Sequence, residues 1–255
     1  MESSFLGMPH VDVWLFTGLI VASFLTTLVG ILSGAAGGLI LLAVMALFFP
    51  PAILIPVHTL VQLGVGSSRA FFLRHYVVKT AILPFTVGAA LGAIAGAQIF
   101  VSLSTGTLQG ILAVFILFAT WVPGIARVGP EKGRYTALGF AATFLGVFVS
   151  ATGTLVAPVL AASIADRRAY AGTFGTVMCI VHFAKVIAFG FLGVAIGAYA
   201  PLIIAMIATA AVANWAGSNF LDMMKESSFR LILRIALTCL ALRLMWVAAR
   251  DLQLI

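Results

Sequence analysis

The sequence predicts an all-α polytopic membrane protein made of two inverted-topology repeats. Each repeat has about five helical segments, with broken or re-entrant helices near the midplane. Three observations carry this prediction. The chain is 63% hydrophobic and only 8% charged, with a mean hydropathy of +1.21, whereas soluble domains carry about 25% charged residues. Apolar stretches recur along its whole length, as in helical membrane proteins; a membrane barrel would alternate polarity in segments of about ten residues. The first half of the chain also resembles the second at a fixed offset.

Segment one spans Val13–Leu32. The preceding MESSFLGMPHVD is acidic and lacks the basic region of a signal peptide, so this segment is read as a retained span. Segments two to five follow at Ala35–Phe49, Ala52–Phe72, Thr80–Ser102 and Thr107–Val122. Segments six to ten lie at Tyr135–Val149, Thr154–Ala165, Ala169–Phe191, Ala198–Phe220 and Phe229–Ala249. Residues 1–124 form the first repeat, 125–134 a cytoplasmic connecting loop and 135–255 the second repeat. Segments two, six and seven are short. At about 1.5 Å per residue they reach roughly 18–23 Å, against a hydrocarbon core of about 30 Å. Each is a tilted span or half of a re-entrant hairpin.

Fourteen Lys and Arg against seven Asp and Glu give a net charge of +7. The basic residues sit in short loops between apolar spans, which points to orientation in a bilayer and not to nucleic acid. Arg69, Arg74 and Lys79 flank one turn, Arg127, Lys132 and Arg134 occupy the middle connection, and Arg167 and Arg168 follow segment seven. Placing these loops in the cytoplasm puts both termini outside. Arg69 and Arg74 are thereby assigned to topology and lipid headgroups. Trp14, Trp121, Trp215 and Trp246 sit near span ends, as interfacial anchors do. Cys179 and Cys239 lie inside apolar spans without a CxxC partner and read as buried free thiols. No metal site or cofactor is expected.

A shift of 117 residues carries Ser33 onto Ser150, Thr59 onto Thr176 and Pro84 onto Pro201. The glycine ladder Gly88, Gly92, Gly96 lands on Ala205, Thr209 and Ala213, again small residues four apart that let helices approach closely. The first unit begins outside and the second inside. Inverted repeats of this kind build many secondary transporters, with the substrate site at the repeat interface.

The repeat gives meaning to ILSGAAGGLILL, which runs from Ile31 to Leu42. Its Ser-Gly and Gly-Gly steps interrupt an apolar run, and Ser150–Thr154 repeat the interruption in the second half. Irregular backbone at membrane depth must be buried in protein or line a polar cavity. Helices starting near Leu39 and Leu155 would then point free N–H groups and positive dipole ends into that cavity, as an anion site requires. Two ordinary turns of small residues remain the alternative.

At these residues the sequence resembles the sulfite exporter TauE/SafE family of anion permeases. The resemblance rests on VGILSGAAGGLILL, the following FFPPAILIPVHTLVQLGVGSSRAFFLRHYV and the second-half LGVFVSATGTLVAPVLAAS, and spans roughly Leu28 to Leu244. The family's glycine triplet is cut here to Gly37-Gly38, and in the second half survives only as Gly153. Pro158 keeps the proline step, Pro50-Pro51 keep the turn, and His58-Thr59 replace the usual Thr-Ser. The resemblance implies transport of sulfite, sulfonates or related small anions.

Polar side chains within spans are functional candidates by default. His58, Thr59 and Gln62 share one face of segment three; Thr176, His182 and Lys185 lie in segment eight. Ser33, Gly37 and Gly38, with Ser150, Thr152 and Thr154, come from the two breaks. Together they offer hydroxyl, amide, imidazole and backbone donors to the oxygens of a sulfur oxyanion. Interhelical hydrogen bonding for the histidines and snorkelling for Lys185 are the structural alternatives. Asn214 and Asn219 are candidates for an exit path or for helix capping. All seven acids fall at ends or loops, so neither a carboxylate proton relay nor a buried Na⁺ carboxylate site is expected.

The expected function is export of a small sulfur-containing anion across the inner membrane by alternating access in a multi-pass protein. An anion channel and a proton-coupled uptake permease are the alternatives. An enzyme is not expected: Ser150 has no GxSxG frame. The expected partners are the small anion and the bilayer, with a second copy of the chain as a further candidate.

Overall fold

The computed structural model describes residues 5–33, 36–100, 133–149, 152–191, 197–219 and 245–253, with scattered positions in 103–117 and 238–242. Its helices are α1 (Val13–Ser33), α2 (Ala36–Met45), α3 (Pro51–Phe72), α4 (Lys79–Phe100), α5 (Arg134–Val149), α6 (Gly153–Ser163), α7 (Arg167–Phe191) and α8 (Ala200–Asn219). Short 3-10 turns stand at Arg74–Tyr76 and Gly197–Tyr199. Most of expected segments five and ten and of the connecting loop lies outside the described residues, as do Cys239 and Trp121.

Local chemistry explains several helix starts. Asp12 Oδ1 accepts from the Leu15 N–H at 2.7 Å, and Asp166 Oδ1 from the Ala169 N–H at 2.7 Å, capping α1 and α7. Pro51 opens α3 at its first position, where no N–H is needed. Among the described residues, five helices are long and apolar enough to cross a bilayer: Val13–Ser33, Pro51–Phe72, Lys79–Ile99, Arg167–Phe191 and Gly197–Asn219. Helices α2, α5 and α6 have 10, 16 and 11 residues. At about 1.5 Å per residue they fall short of the bilayer core.

The distribution of polarity is that of a membrane bundle. Large apolar side chains face outward, among them Leu25, Leu83, Ile94, Phe183 and Ile204. Polar ones are turned inward: Thr26, His58, Arg69, His182, Lys185 and Asn214 are all buried. An apolar exterior costs nothing against lipid, whereas polar groups there would lack partners. Trp14, Trp215 and Trp246 are exposed.

Helix α3 packs on α7, α1 on α8 and α4 on α5, with further contacts of α3 with α8 and of α4 with α7. Helix α2 folds against α1, α6 touches α5, and α2 meets α6. The α4–α5 seam explains the glycine ladder. A Cβ on Gly88 would strike the Thr136 carbonyl, and one on Gly92 the Phe140 carbonyl. Gly139 on α5 returns the fit against the Phe85 carbonyl. Hydroxyl groups tie α1 to α8: Ser23 Oγ donates to the Met206 carbonyl at 2.9 Å, and Thr209 Oγ1 to that of Ile20 at 3.3 Å.

The two ends of the bundle are identified by their contacts. At one, Tyr199 stands edge-on to Phe49, with centroids 5.8 Å apart, and its hydroxyl donates to the Pro9 carbonyl at 3.5 Å. At the other, Arg134 reaches Ser163 Oγ at 3.4 Å and Arg168 reaches the Tyr76 hydroxyl at 3.3 Å. The second end carries Arg74, Lys79, Arg134, Arg167 and Arg168.

Candidate functional site

The two sequence breaks meet at one cavity. A pocket of about 40 Å³ is lined by Gly37, Gly38 and Leu39 from the start of α2 and by Thr152 and Gly153 from the start of α6. Helix α1 adds Thr26, Thr27 and Gly30, α3 adds Gln62, Val65, Gly66 and Arg69, and α7 adds Phe174, Gly175, Met178 and His182. A water needs roughly 10–15 Å³ by this measure, so the pocket has room for a few waters or one small oxyanion.

Glycine makes this geometry possible. Gly30 on α1 and Gly37 on α2 lie back to back: a Cβ on Gly37 would meet Gly30 Cα at 2.8 Å and also strike the Thr26 carbonyl. This close approach folds α2 onto α1 after the break. Gly38 serves the site itself, since a Cβ there would strike the Gln62 amide nitrogen. Its carbonyl accepts a 2.9 Å hydrogen bond from His58 Nε2. Because a carbonyl can only accept, this contact places a proton on Nε2.

Arg69 supplies the charge. It is buried, only 4% exposed, and its Nε donates to Asn214 Oδ1 of α8 at 3.3 Å. The Asn214 amide nitrogen in turn donates to the Val65 carbonyl at 2.9 Å and to Ser68 Oγ at 2.8 Å. The guanidinium carbon lies 5.7 Å from the Phe174 ring centroid. A terminal guanidinium nitrogen also comes within 3.5 Å of where a Gly30 Cβ would sit. Among the described residues no carboxylate lines the pocket or pairs with Arg69. Arg69 therefore does not reach the headgroups that its place near a span end suggested: it is buried, lines the pocket and is received by Asn214.

Two further polar atoms lack a described partner. Thr152 Oγ1 and His182 Nδ1 are buried and make no hydrogen bond among the described residues, and both residues line the pocket. Buried polar groups are normally satisfied. Two orphans beside two helix N-termini and an arginine without an acid make a site that a small anion would satisfy.

Of the residues expected from sequence, Gly37, Gly38, Gln62, Thr152 and His182 line the cavity. His58 stands behind it on Gly38. Lys185 is fully buried, with its Cδ 3.4 Å from where a Gly146 Cβ would sit, and it does not snorkel. Thr59 is buried and donates to the Ile55 carbonyl at 2.7 Å. Thr176, half-buried, donates to Gly172 at 2.9 Å and does not line the pocket. Ser33 ends α1 outside the lining, with its Oγ buried and unpartnered among the described residues. Ser150 and the side chain of Thr154 lie outside the described residues.

Sequence reasoning missed Arg69, Thr26, Thr27 and Gly30. A signal for Arg69 was present, since it follows Gln62 by seven residues and so shares its helix face. Asn214 proves to be an anchor, and Asn219 bonds back to Trp215 in its own helix at 3.1 Å. Cys179 is half-buried, its sulfur 3.2 Å from Ser67 Oγ.

The model of the family described as sulfite exporter TauE/SafE matches residues 19–244 of the chain. No curated protein and no solved structure matches it.

Proposed function

The chain belongs to the sulfite exporter TauE/SafE family, and on that premise we propose that it exports a small sulfur-containing oxyanion or organosulfonate across the inner membrane. The family makes it a multi-pass membrane transporter of a sulfur anion. One observation carries the site: two helix starts and a buried arginine converge on one cavity where, among the described residues, the arginine meets no carboxylate and two polar atoms have no partner.

Alternating access between inverted halves is supported by the packing. Exchanging the halves maps α1–α8 onto α5–α4, α3–α8 onto α7–α4, and α3–α7 onto itself, and all these pairs are in contact. A re-entrant course for α1–α2 and α5–α6 is supported by the end contacts. Pro9 and Phe49, which bracket α1–α2, meet at Tyr199, while Arg134 and Ser163 bracket α5–α6 and touch each other. Each short helix would then return to the side from which its partner set out.

Export is favoured by charge and position. The positive-inside rule puts the basic end in the cytoplasm. The cavity draws on the second half of α1, the second half of α3 and the first two-thirds of α7, so it lies towards that end. With the cytoplasm negative, each negative charge leaving gains about 2.3 kcal/mol per 100 mV.

Flux of labelled sulfite, sulfoacetate and taurine from oriented proteoliposomes under an inside-negative potential tests the proposal. Saturable efflux of any of the three supports the carrier, and for the dianions of sulfite and sulfoacetate it should grow with the potential. Efflux linear in concentration would mark a channel, and no flux of any of the three would sink the substrate assignment.

A further inference from the structure

We infer that His182, with Lys185 and His58 behind it, forms a proton-binding site linked to anion occupancy of the cavity. The inference rests on the anion reading above and adds a second ligand, the proton. Its basis is geometric. His182 lines the cavity with Nδ1 buried and unpartnered among the described residues. Lys185 lies one turn further along the same helix and is fully buried. Its side chain approaches the second break: the position of a Gly146 Cβ is 3.4 Å from both Lys185 Cδ and Thr152 Oγ1. His58, also fully buried, holds the first break through Gly38. His58 thus holds one helix start through Gly38, while His182 and Lys185 lie near the other, around Thr152.

Among the described residues the surroundings supply mostly positive charge; the carboxylate of Asp166 stands with the arginines at the start of α7, where it caps the helix through the Ala169 N–H. From α3 the neighbours are His58 and Arg69; α7 itself adds Tyr170 and Cys179 near the cavity and Arg167 and Arg168 at its start. Arg74, His75 and Tyr76 of the 3-10 turn, Lys79 of α4 and Arg134 of α5 stand at the basic end. Among the described side chains, α6 and its cap bring the hydroxyls of Thr152 and Ser163. Positive charge gathered around one cavity is relieved by an anion bound there, which favours a proton bound beside it. Linkage is reciprocal, so the proton tightens the anion by the same factor that the anion tightens the proton. The proton comes from water and forms an N–H bond at His182 Nδ1, which then donates to an anion oxygen. It returns to water when the anion leaves, and no other bond changes.

The test is titration calorimetry of the purified chain with methanesulfonate, which stays ionised throughout, from pH 6 to 8.5 in buffers of differing ionisation enthalpy. The expected result is uptake of up to about one proton per anion, with affinity falling towards tenfold per pH unit as the pH rises, the limit for one linked proton. His182→Gln and Lys185→Met should each flatten that pH dependence, and His182→Gln should also weaken the anion several-fold, because it alters a residue lining the cavity. Wild-type binding with no proton uptake overturns the inference and leaves the anion site standing. Uptake unchanged in both variants also overturns it, since the proton then binds elsewhere. No binding of methanesulfonate or sulfite at any pH overturns the anion reading and this inference with it.

Discussion

Arg69 on α3 and Asn214 on α8 are joined by a 3.3 Å hydrogen bond from Nε to Oδ1, although 145 residues separate them in the chain. The bond fixes one edge of the guanidinium and leaves its terminal nitrogens towards the cavity. Asn214 is itself held by Val65 and Ser68, so the arginine is oriented by a small network.

Replacing Arg69 by Gln removes the cavity's buried cation. Anion affinity should fall about ten- to hundredfold, in line with the roughly 1.5–3 kcal/mol of a charge-assisted hydrogen bond. Arg69→Lys keeps the charge but loses the planar fork and the bond to Asn214; it should recover only part of the loss. Equilibrium binding of sulfite to both variants checks this, and wild-type affinity in Arg69→Gln would remove the arginine from the site.

Gly37→Ala and Gly38→Ala should differ in kind. The methyl at position 37 meets backbone on both Thr26 and Gly30, which cannot yield cheaply. Overpacking of this sort costs about 1–3 kcal/mol, so the melting temperature in detergent should drop. At position 38 the methyl meets the Gln62 amide, a side chain that can swing aside. That variant should melt nearly as the wild type does but bind the anion more weakly.

Removing the His58 imidazole leaves the partly buried Gly38 carbonyl without its donor. The cost is about 1–3 kcal/mol for an unsatisfied buried group, and it should be felt locally. Hydrogen exchange in His58→Ala should quicken in the first turns of α2, with α4 and α5 unchanged. Equal protection of α2 in both proteins would show that His58 does not hold the break.

The glycine ladder offers an internal control. Gly88→Leu should separate α4 from α5 and destabilise the bundle by several kcal/mol, because its Cβ already strikes the Thr136 carbonyl. A Cβ on Gly18 of α1 meets nothing within 4 Å, so Gly18→Ala should be neutral or gain up to about 1 kcal/mol from helix propensity. Thermal unfolding of the two side by side separates packing from propensity.

Much of this site was legible in the sequence. The Gly37-Gly38 and Gly153 breaks stood out because glycine interrupts an otherwise continuous apolar run, and both now open on the cavity. Gln62 and His182 stood out as polar groups at membrane depth. Arg69 was hidden by its position near a span end, where basic residues ordinarily meet headgroups. Thr26 and Thr27 were hidden because a threonine can satisfy its own helix, as Thr26 does on the Ala22 carbonyl at 2.7 Å while still facing the pocket.

By itself the sequence determined the solvent this protein folds in, where its helices break and which end carries the positive charge. These follow from composition and local pattern, since transfer to lipid and backbone satisfaction act on each segment separately. Only the tertiary structure decided which polar groups share a cavity. Thr176 and Gln62 look alike as polar residues in a span, yet one bonds back to Gly172 and the other lies against Gly38. Arg69 turns inward because an asparagine far along the chain receives it. Such pairings depend on how helices rotate and pack, and no single helix contains that information.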